Sequence, residues 1–381
     1  MIKIYADYAI IGTNLEVKEK VAINISDNGY VIRVNEHSPK NHYDYTFEDS
    51  VVVPGFVNLH THIGDSFAKE AAYGYDVARA VGSGNSLKWR LYEEISEDRI
   101  IEGMKRSLLE MLSSGTTTFV DFREGGVNGV NLLKKALKNV KVKAIILGRG
   151  TNGDWETVLK VSDGFGLSSL NNFDDETIKK LYQKAYLSGK YFSFHASETK
   201  EQRTKSISKF NQSDLSRGIN LTKPNFIVHA VHADLMEIKK LAEMRIPVII
   251  CFRSNLYLKA GVPPLKQFVE NRVLLGVGTD NVMVSPPDLF QELQSLIRYS
   301  LSIGLKLNVK FFLRLVTRNA AMILNKPIGL LDEGFHADFF VFDLTRPNVA
   351  GMENIIQAIV LRGKSENVIK TFVDGKIVFE R

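Results

Sequence analysis

Five side chains of this sequence have the chemistry to hold a divalent cation and activate water on it: His60, His62, His195, His229 and Asp280. His60-Thr61-His62 closes the apolar run Val51-Val52-Val53-Pro54-Gly55-Phe56-Val57-Asn58-Leu59, whose β-branched content reads as a buried strand. Side chains alternate along a strand, so the two histidines share a face. His195 ends Phe192-Ser193-Phe194, His229 ends Phe226-Ile227-Val228, and Asp280 ends Leu274-Leu275-Gly276-Val277-Gly278-Thr279. Neutral imidazoles with one carboxylate suit Zn²⁺ or Fe²⁺, with a position left open for water. One histidine on an apolar strand is ordinarily structural, but metal-competent groups on four strand ends are not. Glu198 lies three residues beyond His195, so alternation alone cannot bring it to the same face. From the loop above it could reach in as a proton shuttle. His232 is expected in a supporting or surface role, and His37, His42 and His336 at the surface.

These groups need a scaffold that brings strand ends together. Candidate strands are Phe56–His62, Thr117–Phe122, Val142–Gly148, Gly164–Ser168, Phe192–Ala196, Phe226–Ala230, Val248–Phe252 and Leu274–Thr279. Helical patterns fall between most of them, among them Glu97–Ser113, Asp175–Ser188 and Asp234–Glu243. Strands alternating with helices at this length predict an α/β fold, a (β/α)₈ TIM-like barrel spanning residues 53–327, with its ligands at the C-terminal strand ends. An open doubly wound sheet is the alternative, but no dinucleotide fingerprint is present. Residues 1–52 read as short strands (Ile2–Ile11, Val21–Ser26, Tyr30–Asn35), with a hairpin turn at Asp27-Asn28-Gly29. Strands return after Pro327, at Asp338–Asp343, Gln357–Leu361 and Ile369–Val378. Neither end buries much alone, so residues 1–52 and 328–381 are expected to pack as one small β-sandwich domain.

Composition narrows the class. Hydrophobic content of 44% and charged content of 24% are those of a soluble globular chain. The single cysteine, Cys251, excludes an internal disulfide framework and fits a reducing cytoplasm. The N-terminus makes a poor signal peptide, and no stretch of 18 apolar residues offers a membrane span. The net charge of +6 could point to nucleic acid. Yet the densest lysine group (Lys134, Lys135, Lys138, Lys141, Lys143) has no interleaved aromatics and reads as a solvated helix face. Gly82-Ser83-Gly84 lacks the Gly-Lys-Ser/Thr of a phosphate cradle.

Taken together, Pro54-Gly55-Phe56-Val57-Asn58-Leu59-His60-Thr61-His62, Ser114-Gly115-Thr116-Thr117-Thr118-Phe119-Val120-Asp121, His195-Ala196-Ser197-Glu198-Thr199, His229-Ala230-Val231-His232, Arg253-Ser254-Asn255 and Gly278-Thr279-Asp280 carry a family likeness. The chain resembles the amidohydrolase superfamily, in its mononuclear-metal branch of cytosine deaminase-like, guanine deaminase-like and aminotriazine hydrolase-like enzymes. The resemblance covers nearly the whole chain. It implies His60, His62, His195 and Asp280 as ligands of one divalent metal, zinc ahead of iron. It also implies His229 beside the activated water, and hydrolysis of a carbon–nitrogen bond in a small heterocycle. Asp280 would accept the water's proton, Glu198 would protonate a ring nitrogen, and His229 would stabilise the adduct as ammonia leaves. Family analogy makes a homo-oligomer the expectation. No lysine stands at the end of strand four, which argues against the binuclear branches.

Departures from the pattern cluster at the mouth. Ile63-Gly64-Asp65-Ser66-Phe67 lacks the leucine- and arginine-rich loop of those deaminases. Arg123-Glu124 ends strand two, where neither residue is expected, and Phe252 stands where proline is common. Trp89, Arg149 and Arg123 are the candidate substrate contacts. The competing chemistry is ring-opening hydrolysis of a cyclic amide, as in imidazolonepropionase-like relatives. An adenosine deaminase-like enzyme without the flanking strands, or a binding protein that has lost catalysis, fits less well.

Overall fold

The computed structural model describes residues 1–36, 42–82, 84–151 and 153–381. His37 and Ser83, considered above, lie outside them. Four strands open the chain: β1 (Ile2–Ile11), β2 (Glu16–Ile25), β3 (Val31–Glu36) and β4 (Tyr45–Pro54). The apolar run before His60 is divided between two sheets. Val51–Pro54 finish β4, which pairs with β1, whereas Phe56–His62 form β5 (Phe56–His62) of the barrel.

The barrel continues with β6 (Thr116–Arg123), β7 (Lys143–Gly148), β8 (Gly164–Leu167), β9 (Tyr191–Ala196), β10 (Phe226–His229), β11 (Val248–Ile250), β12 (Leu275–Val277) and β13 (Asp280–Asn281). Neighbours are parallel, in the order β12-β11-β10-β9-β8-β7-β6-β5-β13. The two edges, β12 and β13, are successive pieces of one stretch interrupted at Gly278-Thr279. β13 returns to β5, pairing Asp280 with Thr61 and Asn281 with His62. The curled sheet thus meets itself, as a TIM-like barrel requires. Helices cover its outside. Glu97–Ser113 buries Ile100, Met104, Leu108, Met111 and Leu112, an i, i+4, i+8, i+11, i+12 stripe. Asp174 caps the helix Asp175–Leu187, and a capping box of Asp234 and Glu237 opens Leu235–Glu243.

The chain ends with β14 (Phe339–Asp343), β15 (Val368–Val373) and β16 (Lys376–Glu380). Both termini share one seven-stranded sheet, β16-β15-β14-β4-β1-β2-β3. The expected strand at Gln357–Leu361 is instead a short helix, Ile355–Gln357, running into a π-helical turn at Ala358–Arg362. Asn354 caps it by accepting from the Gln357 amide, which starts a helix rather than a strand. Phe56 links barrel and end sheet, with ring centroids 4.9 Å from Phe340 and 5.1 Å from Phe290. Lys143 leaves the solvated lysine face to pair with Asp338 at 2.7 Å. Among the described residues no helix is long and apolar enough to cross a membrane.

Candidate metal-dependent active site

The strand ends bring His60, His62, His195, His229 and Asp280 into one buried cluster. His60 Nε2 lies 3.1 Å from Asp280 Oδ1, and His62 Nε2 lies 3.6 Å from the same oxygen. The Nε2 atoms of His62 and His195 are 3.3 Å apart. Two overlapping triads, His60-His62-Asp280 and His60-His195-His229, place their donor atoms within 4.8 Å of one another. Regular strand geometry does not aim all of them. His229 (φ 74°) and Asp280 (φ 62°) adopt left-handed backbone, which turns their side chains off the strand direction. Gly278 makes room for this, since a Cβ there would fall 2.6 Å from His60 Cβ.

The surrounding hydrogen bonds decide which nitrogens are free. His195 Nδ1 can only donate to the Leu167 carbonyl, 2.8 Å away, so its Nε2 keeps a lone pair. His62 Nδ1 lies 2.8 Å from Glu124 Oε1, an acceptor, with the same consequence for its Nε2. Two lone pairs 3.3 Å apart repel unless a cation or a shared proton lies between them. Asp280 Oδ1 beside both strand-one histidines completes a donor set that fits a divalent cation. Strand four contributes only the Leu167 carbonyl, and no lysine.

Electrostatics agree with that use at His60, His195 and Asp280, whereas at His62 burial is outweighed by the Glu124 carboxylate, which raises the imidazole. Burial pushes His60 down to about 3, keeping the neutral, ligating form. Burial, reinforced by His60, holds His195 well below the usual imidazole range. Burial would raise the Asp280 carboxyl, but the hydrogen bond with His60 and the charge of the nearby histidines outweigh it and keep it ionised. Ser254 Oγ donates to Asp280 Oδ2 at 2.5 Å, leaving Oδ1 to the histidines. Asn255 Oδ1 holds His229 Nδ1 at 2.9 Å.

A cavity of about 810 Å³ opens over this cluster and is lined by His62, His195, Glu198, His229 and Asp280. Glu198 reaches it because Ser197 takes a left-handed turn (φ 46°), pinned through its amide and hydroxyl to Asp214. Glu198 Oε1 lies 3.9 Å from His229 Nε2, and burial raises its carboxyl above the ordinary value. Trp89 and Arg149 line the same cavity, with the indole N–H donating to the Gly82 carbonyl. Arg123, expected at the substrate, lies behind the wall: it is 2% exposed and bonded to Glu124. His232 sits apart from the cluster, against the Ala260 carbonyl. His336, expected at the surface, is half-buried and bonded to Asp374. Sequence reasoning missed Lys88, which is 3% exposed and bonded to Glu124. A lysine on a short polar helix carries no signal of burial.

Residues 51–378 match the family model described as the amidohydrolase family. The chain is 37% identical over 348 residues to an uncharacterized protein of Methanocaldococcus jannaschii, covering 88% of each. It is 25% identical over 356 residues to a 5-methylthioadenosine/S-adenosylhomocysteine deaminase of Pelotomaculum thermopropionicum, covering 87% of this chain and 81% of that one. Its fold is similar to a zinc-bound adenosine deaminase from Xanthomonas campestris, with a TM-score of 0.88 at 20% identity, over 99% of this chain and 92% of the other. The chain belongs to the amidohydrolase family and is an enzyme acting on carbon–nitrogen bonds.

Proposed function

We propose that this chain is a metal-dependent hydrolytic deaminase of an aminated heterocycle, of the purine, pyrimidine or pterin kind. In this reading residues 53–327 are the hydrolase barrel, braced by a composite β-sandwich domain of residues 1–52 and 328–381. The observation that carries it is the convergence of the His60, His62 and His195 Nε2 atoms and Asp280 beneath a cavity that also holds the buried acid Glu198. His60, His62, His195 and Asp280 would hold one divalent cation, zinc first, which would supply an activated water. Asp280, held ionised, takes the proton of the attacking water. Glu198, its carboxyl raised by burial, donates to a ring nitrogen and makes the adjacent amino-bearing carbon more electrophilic. His229, anchored at Nδ1 by Asn255, directs Nε2 into the cavity, beside the oxygen on which negative charge develops. The amino group leaves as ammonia with a proton returned from Asp280, and as the carbonyl forms the adduct's hydroxyl proton passes back to the Glu198 carboxylate. Relatives named as deaminases of adenosine-type compounds support this bond choice over ring opening.

The test is ammonia release from the zinc-replete protein across aminated nucleobases, nucleosides and pterins, with cyclic amides followed by absorbance in parallel. Ammonia from one heterocycle class is the expected result. Absorbance loss on a cyclic amide without ammonia would replace deamination with ring opening.

A further inference from the structure

A buried carboxylate outside the ligand set has more ionic partners than any reacting group. Glu124 follows β6 and is 4% exposed. Its Oε1 lies 2.8 Å from His62 Nδ1, 2.6 Å from Lys88 Nζ and 3.7 Å from Arg149 Nη1. Its Oε2 accepts from Arg123 Nη2 at 2.8 Å. Arg123 is seated against Gly64, where a Cβ would fall 2.0 Å from its Nη1. The carboxylate is therefore held from one side by a buried arginine packed against Gly64 and from the other by Lys88.

Lys88 comes from a different part of the molecule, the helix Leu87–Glu94 that borders the cavity mouth. Its ammonium also meets Asp65 Oδ2 at 2.9 Å. Asp65 is held in turn by Asn281 Nδ2 (2.6 Å) and Tyr92 OH (2.8 Å). Lysines are almost never buried unless paired, and here both partners lie in the barrel rather than on the helix. The next residue, Trp89, lines the cavity. Consecutive residues of one short helix thus face the substrate space and the carboxylate behind His62.

We propose that Glu124 is a positioning residue for His62, and that Lys88 ties this positioning to the seating of the mouth helix. The inference rests on the reading of His62 as a metal ligand. The Glu124 carboxylate, 2.8 Å from Nδ1, favours a proton on that nitrogen and so the tautomer in which Nε2 is free to ligate. Without it the ring can take the Nε2–H form, or rotate. Seating of the mouth helix around a substrate at Trp89 sets Lys88, and through Glu124 the ligand ring.

The experiment is zinc affinity by chelator competition, with the visible spectrum of the cobalt-substituted protein, on folded Glu124→Gln, Lys88→Met and Lys88→Arg. Glu124→Gln is expected to weaken zinc binding about 10–100-fold, the usual cost of losing a carboxylate behind a ligating histidine. Lys88→Met is expected to weaken it in the same direction, Lys88→Arg to restore it, and the cobalt spectrum to shift with affinity. A merely structural network would lower thermal stability and leave both readouts unchanged. If Glu124→Gln does not fold, the contrast between Lys88→Met and Lys88→Arg decides alone. Wild-type affinity and spectrum in the folded variants overturn this inference and leave the deaminase reading standing. Absence of deamination by the zinc-replete wild-type protein across the heterocycle panel, with the affinity changes present, overturns that reading instead.

Discussion

Glu198 shows how little of a residue's role lies in its type. It is one of many glutamates, and its use depends on the left-handed turn at Ser197 and on burial. Burial raises its carboxyl, so the acid form persists to higher pH than in water. If that proton goes to the substrate, kcat falls as pH rises through the raised value. Glu198→Gln should retain the metal, lose about 10²–10⁴-fold in kcat, and lack that alkaline limb. Near-normal turnover in a metal-loaded Glu198→Gln protein would remove the residue from the mechanism. The metal-competent residues were legible because their types and strand-end positions suffice. The backbone angles at His229 and Asp280 were not, since neither residue type announces a left-handed turn. Lys88 was hidden because a lysine beside Arg90 and Glu93 looks solvated.

Among the elements, strands with β-branched cores were read nearly to their boundaries, because burial on both faces leaves a continuous apolar run. The break between β4 and β5 was not, since both halves of that run are equally apolar and only pairing assigns them to different sheets. The helix Leu289–Ser302 supplies an unforeseen brace. Its Glu292 accepts from the Arg253 amide at the start of the helix Phe252–Tyr257, which carries Ser254 and Asn255 to Asp280 and His229. Burial raises Glu292 from 4.5 to about 7. The folded chain binds this proton more tightly than the unfolded chain. The group's contribution to stability is therefore complete below about pH 4.5 and is lost as pH rises through about 7. In metal-free protein, Glu292→Gln should lack that loss and gain ~3 kcal/mol relative to wild type between pH 4.5 and 8. Denaturant midpoints at the two pH values check it. Equal pH dependence in both proteins would mean that Glu292 titrates normally.

For the molecule as a whole, the sequence carried the barrel because strand and helix periods alternate, and carried the meeting of the two termini because neither end could bury its strands alone. It did not carry the mixed order of the end sheet, where β4 lies between β1 and β14. Pairing over such distances leaves no local trace. Barrel closure is what gives the site its meaning: β13 returning to β5 sets Asp280 against the strand-one histidines. The central claim is that these strand ends form one metal centre. Zinc content of the dialysed protein, measured for wild type and for His60→Ala with circular dichroism alongside, tests it most directly. The account predicts one tightly held equivalent in wild type and its loss in a folded His60→Ala. A folded His60→Ala protein that still keeps one tight equivalent would contradict it.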